Sequence, residues 1–124
     1  MRALIVDDSR FSRMLLRRML EAECIECEEA VDAEQGITRL RSDGEFHLML
    51  VDWNMPGMSG PEMIARTRQD GMTELKILMV TTVAESECIV KALEAGADEF
   101  LMKPFEEEAL GEKLALMGLE LVAK

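Results

Sequence analysis

Five polar side chains of this chain each stand directly after a short apolar run. They are Asp7, Asp8, Asp52, Thr81 and Lys103. Carboxylates brought to about 4 Å of one another repel by roughly 4 kcal/mol per pair at an effective dielectric of about 20. Folding alone gives no reason to gather the three acids. If they do meet, the chemistry of the site must account for it.

A divalent cation relieves such repulsion, and because carboxylate oxygens are hard ligands we expect Mg²⁺, or Mn²⁺ in its place. Such a site is also receptive to a phosphoryl group. The metal would neutralise two phosphoryl oxygens, Lys103 a third, and the Thr81 hydroxyl would donate a hydrogen bond. The Asp52 carboxylate would attack in line as the nucleophile. The residue types therefore indicate phosphorylation of an aspartate.

Each of these residues taken singly also has a structural explanation. An aspartate after a strand is usually a helix cap. Lys103 precedes Pro104 and would suit a surface turn, and the Asp7-Asp8 pair would suit the start of a helix. The functional interpretation depends on their joint placement.

The elements that must position these residues alternate between short apolar runs and helix-length amphipathic segments. Most of the runs are nearly continuous in Leu, Ile, Val and Met, which suits parallel strands buried on both faces. This alternation predicts an α/β fold, a doubly wound (βα)₅ parallel sheet with helices on both faces. The five runs are Ala3–Val6, Ile25–Ala30, Leu48–Val51, Ile77–Val80 and Phe100–Met102.

The helix boundaries follow from capping residues. Right-handed crossovers place the carboxyl ends of all strands at one edge of the sheet, where such folds carry their sites. We therefore expect the five polar residues to converge. The predicted caps are Ser9, Asp32 and Ser59; the fourth helix begins at Glu85 or Ser86 and stops at Gly96, and the fifth runs from Phe105 to Leu121.

Length and charge restrict the classes of protein. With 124 residues, 48% of them hydrophobic, the chain predicts one domain over 1–124 and no output domain. A formal charge of −11 disfavours nucleic acid and anionic membranes as partners. The sequence contains neither a signal peptide nor an apolar run of about 18 residues, so we expect a cytoplasmic protein.

Two smaller clusters have simple structural explanations. Cys24 and Cys27 form a C-x-x-C pair without the further ligands of a zinc site, and we expect reduced thiols. Arg10, Arg13 and Arg17 share one face of the first helix. A solvated face is the simpler interpretation, and docking of an acidic partner is the alternative.

The motifs together resemble the receiver domains of response regulators in two-component signalling, and most closely the stand-alone chemotaxis members of that family. The resemblance spans the whole chain and implies the flavodoxin-like strand order 2-1-3-4-5. The motifs are Ile5-Val6-Asp7-Asp8-Ser9, Val51-Asp52-Trp53-Asn54-Met55-Pro56, Met79-Val80-Thr81, Glu94-Ala95-Gly96-Ala97 and Lys103-Pro104-Phe105.

The resemblance implies a role for each site residue. Asp52 would be the phosphoacceptor, and Lys103 would contact the phosphate. Asp8, Asp52 and the backbone carbonyl of Asn54 would bind Mg²⁺ directly, with Asp7 helping through a water molecule. The peptide bond between Lys103 and Pro104 is typically cis in the family.

A switch pair also follows from the resemblance. The Thr81 hydroxyl would move toward the phosphoryl group while the ring of Phe100 turns inward. Chemotaxis members carry a tyrosine at the position of Phe100 and an acidic residue at that of Val83. Asn54 and Val83 would border the path of the hydrolytic water, so we expect a phosphoryl lifetime different from that of the chemotaxis members.

The resemblance implies a histidine kinase or histidine phosphotransfer protein as the phosphoryl donor. Phosphorylation would alter the face formed by helix four, strand five and helix five. The sequence does not identify the downstream protein that binds this face. A chemotaxis output, a phosphate sink and a relay intermediate all stay open. The last helix carries surplus apolar residues between Leu116 and Val122, which fits either a monomer or a phosphorylation-dependent dimer.

Two other functions fit the fold less well. A Mg²⁺-dependent phosphatase that forms an aspartyl phosphate needs a second acid two residues after its nucleophile, and that position is Asn54. A flavodoxin-like carrier of FMN needs a phosphate-binding loop where Asp7 and Asp8 would repel phosphate. We therefore expect a signalling protein rather than an enzyme, one that catalyses only its own phosphotransfer and autodephosphorylation.

Overall fold

Five strands and five helices alternate along the chain in the computed structural model, which describes residues 1–82 and 86–119, with only the backbone at 86–88. The predicted (βα)₅ order is confirmed. The elements are β1 (Arg2–Val6), α1 (Arg10–Glu21), β2 (Glu26–Ala30), α2 (Ala33–Ser42), β3 (Leu48–Asp52), α3 (Gly60–Gln69), β4 (Lys76–Thr81), α4 (Ser86–Ala95), β5 (Glu99–Met102) and α5 (Glu107–Leu116).

The five strands form one parallel sheet in the order β2-β1-β3-β4-β5, as the resemblance implied. The strand ends are in register. Val6 pairs with Val51, and Thr81 pairs with Met102. The residues that follow β1, β3, β4 and β5 therefore lie side by side at one edge of the sheet, next to the point where the strand order reverses between β1 and β3.

Side chains of the central strands alternate between two hydrophobic clusters, one on each face of the sheet. In β1, Leu4 and Val6 belong to the cluster covered by α2, α3 and α4, whereas Ala3 and Ile5 belong to the cluster covered by α1 and α5. All four side chains are fully buried. Burial on both faces explains why these runs are apolar without interruption.

The predicted helix caps at Ser9, Asp32 and Ser59 are confirmed. Each side chain accepts a hydrogen bond from the backbone N–H three residues later, which satisfies one of the free donors of the first turn. Gly96 follows α4 with φ of +120°, a conformation that suits glycine at a helix end.

Several element boundaries differ from the prediction. Strands β1, β3 and β5 are each one residue longer than the predicted runs, and β4 is one residue longer at both ends. Strand β2 begins at Glu26 rather than Ile25 and lies at the edge of the sheet, where its glutamates reach solvent. Helix α5 begins at Glu107 rather than Phe105, and it ends at Leu116 because the chain turns at Gly118, where φ is +80°. The predicted continuation to Leu121 is wrong at residues 117–119, and 121 lies outside the described residues.

The C-x-x-C cysteines are both free thiols, Cys24 exposed and Cys27 buried. Burial raises the pKa of the Cys27 thiol to about 12. Within 1–82 and 86–119, no helix has the length and apolar character needed to span a bilayer.

Candidate functional site

Three of the predicted site residues meet at the carboxyl edge of the sheet. Asp7, Asp8 and Asp52 each offer a carboxylate oxygen, and these atoms lie within 4.8 Å of one another. Asp7 is only 1% exposed, whereas Asp8 is exposed to solvent. The predicted convergence of the three acids is confirmed, and the cluster opens to solvent on the side of Asp8.

Lys103 reaches this cluster from the end of β5. Its Nζ lies 3.0 Å from Asp7 Oδ2, 3.5 Å from Asp52 Oδ1 and 3.3 Å from Ser12 Oγ. Its backbone N–H donates to the Thr81 carbonyl over 2.8 Å, which continues the pairing of β4 with β5. The bond between Lys103 and Pro104 is cis, as the resemblance implied.

The pKa of Asp52 reflects both its burial and the charges of its neighbours. Burial of the carboxyl is the largest cause, followed by the negative charge of Asp7, and together they raise the pKa of Asp52 to about 6 although Lys103 acts in the opposite direction. One ammonium group faces three carboxyl groups. The site therefore lacks positive charge.

This donor set fits a hard divalent cation. Three neighbouring carboxylates supply oxygen ligands of the type that Mg²⁺ prefers, and Mg²⁺ usually binds one or two carboxylates and keeps several waters. Lys103 lies on Asp7 and Asp52 and can neutralise only one charge. Asp7, Asp8 and Asp52 are thus the residues that could hold the ion.

The predicted switch residues lie on β4 and β5. Thr81, the last residue of β4, is 2% exposed. Phe100 is half-buried and packs against the cluster on the α2–α4 side of the sheet. Lys113 of α5 places its Nζ 4.6 Å from the centre of the Phe100 ring and 3.0 Å from Glu99 Oε1. Phe100 is therefore held by a cation above its ring.

Of the two residues predicted to set the phosphoryl lifetime, Asn54 lies among the described residues and Val83 does not. Asn54 is exposed, two residues beyond the end of β3. Val83 lies outside the described residues, so its predicted role stays a prediction.

Two neighbours of the site were not predicted from the sequence. Ser12, in the first turn of α1, shares the Lys103 ammonium with the two acids. Gly60, at the start of α3, approaches Asp52 so closely that a Cβ would lie 2.5 Å from the Asp52 carbonyl oxygen. A glycine directly after a helix cap is the only sequence signal for this close approach.

Sequence and structure comparisons identify the relatives of the chain. A family profile described as the response regulator receiver domain matches residues 3–115. Chemotaxis protein CheY1 of Helicobacter pylori is 31% identical over 121 residues, which cover 94% of this chain and 96% of the relative. Chemotaxis protein CheY-3 of Vibrio cholerae is 35% identical over 117 residues, with coverage of 92% and 88%.

Solved structures agree with these matches. Chemotaxis response regulator CheY4 of Vibrio cholerae gives a TM-score of 0.86 at 31% identity, with 94% and 97% of the two chains covered. A CheY-like response regulator receiver domain protein from Methanospirillum hungatei gives 0.84 at 35% identity, with 92% and 90% covered. With a family profile and relatives that each span most of both chains, this chain belongs to the response regulator receiver family, and its relatives are of the CheY type.

Proposed function

We propose that this chain is a phosphorylation switch in which Asp52 accepts a phosphoryl group from a histidine kinase or a histidine phosphotransfer protein. Phosphoryl acceptance is general to receiver domains, and those of the CheY type are phosphorylated by histidine kinases. The single observation that carries the proposal for this chain is the cluster of Asp7, Asp8 and Asp52 with Lys103 on two of the three acids.

The metal belongs to the same proposal. Asp8, Asp52 and the Asn54 backbone carbonyl would bind Mg²⁺, or Mn²⁺ in its place, directly, and Asp7 would help through a water molecule. When bound, the ion supplies the positive charge that three carboxylates and an incoming phosphoryl group require. That charge would also favour the ionised form of Asp52, which is the form that acts as a nucleophile.

The reaction at Asp52 is an in-line displacement. A carboxylate oxygen of Asp52 forms a bond to phosphorus while the bond between phosphorus and the donor imidazole nitrogen breaks, and the electron pair stays on that nitrogen. Lys103 already lies 3.5 Å from Asp52. A short movement of its ammonium from Asp7 toward a phosphoryl oxygen would stabilise the product by a charge-assisted hydrogen bond.

The output step would use Thr81 and Phe100. The buried Thr81 hydroxyl would turn to donate to the phosphoryl group, and the ring of Phe100 would move into the space released. To shift the active fraction from about 1% to about 99%, phosphorylation must favour that state by about 5.5 kcal/mol. The altered surface would be the face formed by α4, β5 and α5, with a protein as the binding partner.

Further features of the switch belong to the same proposal. Asn54 and Val83 would set the lifetime of the aspartyl phosphate. Chemotaxis output, phosphate sink and relay intermediate are three possible uses of the switch, as a monomer or as a phosphorylation-dependent dimer. The assignment of 1–124 as one receiver domain without an output domain, and the cytoplasmic location, likewise stay predictions.

Acetyl phosphate, a small-molecule phosphoryl donor, tests the proposed chemistry without knowledge of the kinase. In the presence of Mg²⁺, intact-mass spectrometry should show one phosphoryl group on the wild-type chain and none on Asp52→Asn. Asp70→Asn is a matched control, because Asp70 ends α3 and pairs with Arg41. The same phosphoryl incorporation in Asp52→Asn as in wild type would refute the assignment.

A further inference from the structure

A largely buried arginine of α1 contacts the loop that carries Asp7 and Asp8. The side chain of Arg13 is 13% exposed. Its Nη1 donates to the backbone carbonyl of Asp7 over 2.8 Å, and its Nε donates to Glu29 Oε1 over 3.0 Å. Arg13 therefore connects the loop after β1 with strand β2.

The backbone N–H, the carbonyl and both carboxylate oxygens of Asp7 each have a partner. Its N–H donates to the Ala30 carbonyl over 3.1 Å, and its Oδ1 accepts from the Ser9 N–H over 2.8 Å. Its carbonyl accepts from Arg13, and its Oδ2 lies on Lys103. Because each neighbour constrains a different atom, the direction of the Asp7 carboxylate depends on the Arg13 contact as well as on its own hydrogen bonds.

Glu29 anchors Arg13 on β2. The other oxygen of Glu29 accepts from Arg17, which also donates to the Cys27 carbonyl over 2.9 Å. Burial acts to raise the pKa of Glu29, but the hydrogen bonds from Arg17 and Arg13 outweigh it and the pKa is lowered. Glu29 thus stays ionised at neutral pH. On the predicted arginine face, Arg13 and Arg17 are engaged in an internal ion-pair network.

We propose that Arg13 is a positioning residue for the metal site: through the Asp7 carbonyl, and anchored by Glu29, it orients the Asp7 carboxylate and so sets the affinity for Mg²⁺. This inference rests on the proposed function. Hydrogen-bond partners of metal ligands typically change metal affinity about 10-fold to 100-fold when they are replaced. A purely structural arginine would change stability and leave the affinity as it is.

The direction of the change in Mg²⁺ affinity distinguishes a positioning role of Arg13 from the effect of its charge alone. Arg13→Gln removes a positive charge near three carboxylates, and that change alone would tighten the binding of a cation. A loosened Asp7 would weaken it. The positional effect should prevail, because Arg13 contacts Asp7 directly through its backbone carbonyl over 2.8 Å.

Trp53 provides the measurement, because it is the only tryptophan of the chain and directly follows Asp52. Its fluorescence is titrated with Mg²⁺ in the wild-type chain and in each variant. We expect Arg13→Gln to raise the dissociation constant for Mg²⁺ about 10-fold. Arg13→Lys keeps the positive charge but loses the guanidinium that joins the Asp7 carbonyl to Glu29, and a smaller rise of about 3-fold is expected.

Arg39→Gln is the matched control. Arg39 forms ion pairs with Glu28, the neighbour of Glu29 on β2, and with Asp43. Like Arg13→Gln, the Arg39→Gln substitution removes a positive charge that is paired with a glutamate of β2, but at a position other than that of Asp7. Its dissociation constant for Mg²⁺ should stay within about 2-fold of wild type, since no partner of a proposed ligand is changed.

The outcomes are distinguishable. A folded Arg13→Gln chain, as judged by circular dichroism, that binds Mg²⁺ as tightly as wild type or more tightly overturns the inference. If Arg13→Gln does not fold, Arg13→Lys, which keeps the positive charge, decides by the same criterion. A wild-type chain that binds no Mg²⁺ would overturn the proposed function and this inference with it.

Discussion

At the residue scale, the acidic cluster places three carboxyl groups around one ammonium group. The effect is seen in the pKa of Asp52, which burial and the charge of Asp7 raise from 3.8 to about 6. A raised pKa means that the folded chain binds a proton more readily than the unfolded chain. The contribution of Asp52 to folding therefore becomes less favourable as the pH rises from about 4 to about 6 and stays so above that range.

Asp52→Asn removes this ionisable group and should stabilise the fold without divalent cations. At pH 7.5 with a chelator, we expect the free energy of unfolding to exceed that of wild type by up to about 3 kcal/mol, the equivalent of the raised pKa. At pH 3.5 wild-type Asp52 is protonated in the folded and largely in the unfolded chain, so the gain should mostly vanish. Urea denaturation at both pH values measures it, and an equal gain at both would contradict the charge argument.

Gly60 lies beside the site at a position where the backbone leaves no room for a side chain. A Cβ there would lie 2.5 Å from the Asp52 carbonyl oxygen and 3.2 Å from the Trp53 Cα, so the backbone that carries the phosphoacceptor would have to shift. We expect Gly60→Ala to lower the free energy of unfolding by about 1–3 kcal/mol, as for other overpacked positions.

Gly111→Ala is the control for this prediction. Gly111 lies within α5, and a Cβ there meets no atom within 4 Å. Alanine should therefore stabilise the helix by up to about 1 kcal/mol. Urea denaturation of both variants measures the difference, and a Gly60→Ala chain as stable as wild type would show that the close approach imposes no constraint.

At the element scale, Arg68 of α3 joins the ends of three elements. Its guanidinium donates to the carbonyls of Gly96, Met72 and Leu75 and forms an ion pair with Asp98 at 2.9 Å. Those groups lie just after α4, within the loop that leads into β4, and just before β5. This single side chain thus satisfies backbone acceptors that the helices and strands leave free.

Arg68→Met should lower the free energy of unfolding by about 3 kcal/mol, because several partly buried acceptors lose their donor. Arg66→Met on the same helix replaces an exposed arginine and should change it by at most about 0.5 kcal/mol. Denaturant unfolding monitored by circular dichroism compares the two. Equal effects of both substitutions would contradict the role assigned to Arg68.

Sequence reasoning succeeded where local pattern decides the outcome. Apolar runs identified the strands, and a cap with a hydroxyl or carboxylate identified the start of three helices. It failed where a contact joins distant segments: Arg13 meets Glu29, and Arg68 meets Gly96. The end of α5 was misplaced for another reason, since the positive φ of Gly118 outweighs the apolar pattern that continues beyond it.

At the scale of the whole molecule, the parallel sheet turns separate stretches of sequence into one site. Asp7 and Lys103 lie 96 positions apart and their side chains are 3.0 Å apart, because β1 and β5 end at the same edge. The expected right-handed crossovers predicted this gathering, and the register of β1, β3, β4 and β5 explains it. The identity of the phosphoacceptor within the cluster is the central claim that follows.

Borohydride trapping tests that claim most directly, because it reduces an aspartyl phosphate to homoserine and so marks the phosphorylated residue. The chain is treated with acetyl phosphate and Mg²⁺, reduced, digested and mapped by tandem mass spectrometry. We predict homoserine at position 52 alone, and none when Mg²⁺ is chelated. Homoserine at position 7 or 8, or at an aspartate outside the cluster, would contradict it.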